Sequence, residues 1–158
     1  CGFVTKLLYC ASHDGWGASN FHSKCDNQGP TLTVIRSTGG YIFGGFCDTA
    51  WSSDDGFKTS AKAFLFTLKC YSGLAPTKMR QYQRNNGYAV SHSRSYGPKF
   101  GGGYDIYVSD DANSNLSSST NVGHTYECPA GLSGRYNPTG NPSFHTSEVE
   151  VFSVQGKE

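Results

Sequence analysis

The sequence predicts a mainly β domain, a two-sheet antiparallel β-sandwich with a few short helices. Three observations predict it. Short apolar runs alternate with a period of two and are bounded by clusters of turn residues. Twenty Gly and six Pro leave little room for long helices. Ten Phe, ten Tyr and two Trp supply bulk to a core that has only 36% apolar residues to draw on. The 158 residues are a usual size for one domain, and neither an internal repeat nor a linker interrupts them, so residues 1–158 read as a single unit.

In chain order, His13-Asp14-Gly15 reads as a turn, and ASNFHSKC (18–25) behind it reads as a helix. LTVIRS (32–37) and YIFGGF (41–46) are strands closed by a hairpin turn of small residues. AFLFTLKC (63–70) sets Phe64, Phe66 and Leu68 on one face and Ala63, Leu65 and Thr67 on the other. Both faces are largely apolar, which predicts a central strand. GYAVSHS (87–93) is a weaker strand. YDIYVSD (104–110) alternates, with Tyr104, Ile106 and Val108 to one side and Asp105, Tyr107 and Ser109 to the other. Residues 129–146 form a long Pro/Gly loop, ordered by Cys128 and Tyr136. In SEVEVFSV (147–154), Val149 and Val151 point inward and Glu148 and Glu150 outward.

A net charge of +1 carries no electrostatic footprint for nucleic acid or anionic lipid. No apolar run approaches the roughly 20 residues of a spanning helix. The first residue is Cys1, not Met, and six cysteines lack any CxxC spacing. The expectation is an exported, extracellular chain with three disulfides, for which 15 pairings are open. No G-x-S-x-G and no H-E-x-x-H occurs, and FGGGYD does not fit a dinucleotide fingerprint, so an enzyme is not expected.

VSDDANSNLSSSTN (108–121) holds the clearest cluster of oxygen ligands. Asp111, Asn113 and Asn115 follow D-x-N-x-N, as in the first half of a calcium loop, and Asp110 adds a second carboxylate. A calcium ion takes 6–8 such oxygens. The loop departs from an EF-hand: no Gly follows Asn115, and Val122 stands where a bidentate Glu belongs. Asn115-Leu116-Ser117 is also a glycosylation sequon, which competes with ligation. The loop AWSSDDGFK, with Asp54 and Asp55, is the alternative metal site. In GGGYDIY, Asp105 sits within a strand, where a carboxylate faces water, serves a ligand or anchors the backbone.

Five segments taken together resemble the TLDc domain family: TKLLYCASHDGWGASNFHSKC, GPTLTVIRSTGGYIFGGF, AWSSDDGFKTSAKAFLFTLK, FGGGYDIYVSDD and SEVEVFSV. They stand in the family's order over nearly the whole chain. The resemblance implies the same two-sheet sandwich. Familiar members are intracellular and linked to oxidative-stress resistance and the proton-pumping ATPase. This cysteine-rich chain looks more like the secreted invertebrate branch and is similar to a calcium-dependent, galactose-specific lectin of sea anemones. That resemblance implies a Ca2+ ion, and the D-x-N-x-N reading above places it on Asp110, Asp111, Asn113 and Asn115. Terminal β-galactose would rest against Tyr104, Asp105, His124 and Trp51, with Tyr107 and Tyr126 as further rings. It also implies lactose-like glycan partners and a homodimer that presents two weak sites at once. A TLDc-type protein-interaction module is the alternative, and a small hydrolase the remoter one.

Overall fold

A computed structural model describes residues 3–82, 87–129 and 137–156. Cys1 and Tyr136 lie outside the described residues, and with them the expectations placed on both. In order the elements are β1 (Phe3–Cys10), α1 (Ala11–Asp14), α2 (Ala18–Cys25), β2 (Thr31–Ser37), β3 (Ile42–Cys47), β4 (Phe57–Lys58), β5 (Phe64–Lys69), β6 (Thr77–Arg80), β7 (Val90–Ser91), β8 (Lys99–Phe100), β9 (Ile106–Tyr107), β10 (Ser118–Thr120), β11 (Ser143–Phe144) and β12 (Thr146–Gly156). They form two six-stranded antiparallel sheets, ordered β1-β12-β2-β3-β5-β6 and β11-β10-β9-β8-β7-β4. The expected mainly β sandwich is therefore what the chain adopts.

The first sheet is built of long strands and the second of strands only two or three residues long. Register explains the core. On the first sheet Val151, Thr33, Gly45, Leu65 and Met79 lie in one cross-strand row, and Val149, Ile35, Phe43 and Thr67 in the next. Apart from the glycine's lack of a side chain, these residues fill the space between the sheets and are buried. Gly45 is required there, because an added Cβ would stand 2.8 Å from the Phe100 ring of the second sheet. Trp51, Phe21 and Phe100 pack edge-on beneath α2, at 5.4 and 5.7 Å between ring centroids.

The opposite face of the first sheet is apolar as well. Leu7, Phe152, Leu32, Phe46, Phe64 and Arg80 form one cross-strand row, and Glu150, Val34, Gly44, Phe66 and Lys78 form its neighbour. The Phe46 and Phe64 rings stack at 5.5 Å. This explains the doubly apolar β5. It has a neighbour on each side, as expected of a non-edge strand, but among the described residues no second layer covers Phe64 and Phe66, which stay half-buried.

Three local differences from the sequence expectations have physical causes. The segment 104–110 is strand only at Ile106–Tyr107, because Tyr104 takes a left-handed φ of 58° and turns its ring off the Ile106 face. The segment 87–93 keeps only Val90–Ser91 as strand. The terminal strand β1, which pairs with β12 through a bulge between Leu7 and Tyr9, has no clean alternation to announce it. Helix α2 falls where expected, with the Gly17 N–H donating to the Asn20 side-chain oxygen at 3.0 Å.

Candidate functional site

The acidic and aromatic residues singled out by sequence gather at the loops of the second sheet, and most are committed to the fold. Asp105 is 0% exposed. Its carboxylate accepts backbone N–H donations from Gly123, His124, Thr125 and Tyr126, all at 3.1–3.2 Å. Burial raises its pKa, while those four donors pull it the other way. The three glycines make the turn possible. A Cβ on Gly101 would stand 2.1 Å from the Asp105 carboxylate, and one on Gly103 would stand 2.4 Å from the His124 ring. Asp105 thus anchors the backbone and is out of reach of a sugar. Trp51 is corrected in the same way: it is 0% exposed, and its indole N–H donates to the Thr31 hydroxyl at 2.9 Å inside the core.

His124 packs against Gly103, the residue before Tyr104, and the Tyr104 ring is 47% exposed. The Tyr104 ring covers the Lys99 ammonium at 3.8 Å, with the Tyr96 and Tyr107 rings at 5.0 and 5.7 Å. Burial, followed by the neighbouring tyrosines and Asp110, pushes the Tyr107 hydroxyl up to about 12. Tyr126 lies fully in the core, its hydroxyl donating to Ala89 O at 2.7 Å.

The loop 108–121 is held closed by its own polar atoms. One Asp110 carboxylate oxygen accepts the Ala18 N–H at 2.6 Å, so Asp110 serves the first turn of α2. The Asn115 carbonyl oxygen accepts from Ser109 Oγ and Ser117 N at 2.9 Å. Its amide donates to the Asp110 and Asp111 carbonyls at 3.0 Å. Asp111 has a left-handed φ of 52°, and Asn113 is exposed. Among the described residues no group of three or more His, Cys, Asp or Glu side chains converges as a metal cluster. In this arrangement the donor set does not fit an ion that takes 6–8 oxygens, because Asn115 and one Asp110 oxygen already have partners.

The loop 51–58 is also engaged. Asp54 pairs with Lys58 Nζ at 2.8 Å, and Asp55 accepts from Arg94 N and Nε at 2.9 and 3.1 Å. The Asp54 carboxyl is held at about 2, first by Lys58 and then by Ser52. Ser52 Oγ lies 2.6 Å from Asp54 and 2.8 Å from His92 Nδ1. On paper this is a Ser, His and Asp set, but it is wired wrongly for nucleophilic catalysis. The serine hydroxyl gives its proton to Asp54, so His92 Nδ1 is a donor to Ser52, and no carboxylate orients the imidazole. His92 is 1% exposed, burial pulls its pKa down to about 4, and its Nε2 has no partner among the described residues.

Among the described residues no disulfide is formed. Cys25 and Cys47 are buried thiols. Burial pushes the Cys47 thiol up to about 12 and the Cys25 thiol higher still.

A cleft of about 740 Å3 opens on the outer face of the first sheet, between β3, β5 and the 61–64 turn. Phe46, Phe64 and Val154 give it an apolar floor, and Lys62, Lys78 and Arg80 stand around it. Only the doubly apolar pattern of residues 63–70 hinted at this face; the cations come from separate segments and have no spacing to betray them.

The family model for the TLDc domain matches residues 4–155. Among curated proteins, the chain is similar to the MTOR-associated protein MEAK7 of Gallus gallus, 27% identical over 155 residues, covering 94% of this chain and 31% of that protein. It is 30% identical to the Danio rerio protein of the same name over 66 residues, covering 42% of this chain and 15% of that one. For the Mus musculus protein the figures are 33% over 63 residues, 40% and 14%. The chain thus spans less than a third of the length of each of these relatives.

Proposed function

The chain belongs to the TLDc domain family, and from that premise we propose that it works as a protein-interaction module without chemistry of its own. The observation that carries this reading is the outer face of the first sheet. An antiparallel sheet with one solvated face ordinarily alternates apolar and polar residues, and here both faces are apolar. Leu7 and Leu68 are each 47% exposed, and Leu32, Val34, Phe46, Phe64 and Phe152 stay half-buried. A contiguous apolar surface of this kind is characteristic of a face that meets another macromolecule. The relatives' description as MTOR-associated agrees with protein partners rather than glycans. The unsuited wiring of Ser52, His92 and Asp54 agrees with a non-catalytic role.

A secreted, calcium-dependent galactose lectin is the competing proposal. The exposed Tyr104 ring favours it, since such a ring can cover the apolar side of a galactose. Thermal unfolding in calcium, in EDTA, and in calcium with galactose separates the two, because a ligand of the folded state raises the midpoint. The module reading expects three equal midpoints, together with a cross-linked protein partner that is lost when Phe46 and Phe64 are made Ser. A galactose-induced rise that needs calcium would replace it with the lectin.

A further inference from the structure

We infer that the cleft over Phe46 and Phe64 is the docking site for an acidic segment of a partner protein, one that inserts an aromatic or aliphatic side chain between the two rings and the β6 edge. The inference rests on the module reading above and adds to it the place and the chemistry of the partner.

The charges around the cleft point one way. Lys78 Nζ sits 4.1 Å above the Phe64 ring, and Arg80 stands directly opposite Phe64 in register. Lys62, Lys78 and Arg80 are exposed, and none is in an ion pair among the described residues. Of the acids nearby, Asp48 is satisfied from within, its carboxylate accepting the Ser60 hydroxyl and the Lys62 N–H, and the exposed Glu127, whose N–H donates to Arg80 O, is in no ion pair among the described residues. The uncompensated charge beside the apolar floor is therefore positive. A partner carboxylate placed there gains charge-assisted hydrogen bonds and loses little, because no internal anion has to be displaced.

The Gln81 side chain lines the same cleft. Its amide N–H donates to Ser60 O at 2.6 Å and to Ala63 O at 3.4 Å, which fixes its orientation. The carbonyl oxygen that this leaves over is buried and has no donor among the described residues. The cleft thus combines a stacked aromatic floor with three cations that are in no ion pair among the described residues, which suit a peptide bearing a ring and carboxylates.

A second copy of the chain is the weaker occupant. The acidic side of the same face carries Glu148 and Glu150, but Glu148 is already held by Ser12 and by the Val149 N–H. On that side Glu150 alone is left, too little to answer three cations.

The test pans a displayed library of random short peptides against the full chain and measures the enriched sequences by fluorescence anisotropy. The expected peptides carry Asp or Glu beside Phe, Trp, Tyr or Leu. Their affinity should fall at least about tenfold for Lys78→Glu/Arg80→Glu, as like charges then face each other, and return when the peptide acids are exchanged for Lys. Both substitutions are on exposed side chains, and an unchanged unfolding midpoint verifies the fold. Enriched peptides without net negative charge, binding indifferent to the charge reversal, or no enrichment at all would overturn the inference. So would sedimentation showing a dimer abolished by the same variant. A native partner cross-linked through another face would also overturn the cleft, while leaving the module reading intact.

Discussion

The loops of the second sheet and the outer face of the first are opposites in how they use charge. At the loops nearly every carboxylate has an internal partner: Asp105 takes four backbone N–H groups, Asp110 the start of α2, Asp54 Lys58, and Asp55 Arg94. On the outer face Lys62, Lys78 and Arg80 stand beside stacked rings and are in no ion pair among the described residues. A dense group of ligand-type residues is therefore a poor guide to function when the fold itself consumes them. Charges left unanswered beside exposed apolar surface are the better guide.

The largest effect expected from this contrast is at Asp105. Asp105→Ala should remove about 3–5 kcal/mol of stability, since the backbone donors of residues 123–126 lose their acceptor inside the protein. Chemical denaturation measures it. A loss under about 1 kcal/mol would mean that the carboxylate is not the anchor it is described to be.

His92 should come next, and its effect depends on pH. Its folded pKa, about 4, lies below the ordinary 6.5, so the unfolded chain binds the proton first as pH falls. The stability due to neutral, buried His92 is complete above pH 6.5 and drains away as pH falls toward 4. The loss is on the order of 3 kcal/mol. In His92→Gln the same pH interval should show a flatter stability curve. Parallel curves for both proteins would place the acid sensitivity elsewhere.

Asp110 separates capping from metal binding. Asp110→Ala should lose about 1 kcal/mol of stability, equally in calcium and in EDTA, because the Ala18 N–H loses its acceptor. Asp110→Asn keeps a carbonyl oxygen for that N–H and should lose less. If calcium instead raises the wild-type midpoint and leaves both variants unmoved, the loop is a cation site and the contrast between the two regions collapses.

The sandwich was legible because its evidence is periodic. Val149 and Val151 point inward, as the alternation of SEVEVFSV requires, and the 37–40 turn closes β2 onto β3 through the Gly40 N–H. Helix α2 was readable from the turn before it. The second sheet was harder, since strands of two or three residues leave no period to read, and the left-handed φ at Tyr104 takes that residue out of the alternation. The site was least legible. Whether a carboxylate is a ligand or an anchor depends on what sits opposite it in space. Asp105 and Gly123–Tyr126 meet across some twenty positions of chain, as do Asp110 and Ala18 across far more. Likewise Lys62, Lys78 and Arg80 belong together only because the 61–64 turn and β6 flank the same cleft.

The smallest expected change in stability falls on that cleft, and its smallness is the sharpest form of the contrast. Lys78→Glu/Arg80→Glu touches two exposed side chains whose only described attachment is the cation over the Phe64 ring, so the unfolding free energy should move by no more than about 0.5–1 kcal/mol. Side chains that hold the fold, such as Asp105, cannot be changed so cheaply, and side chains kept for a partner can. If the double variant unfolds as readily as Asp105→Ala, the three cations are part of the scaffold after all. If it keeps the wild-type midpoint and yet no acidic peptide distinguishes it from the wild type, their exposure has no bearing on binding.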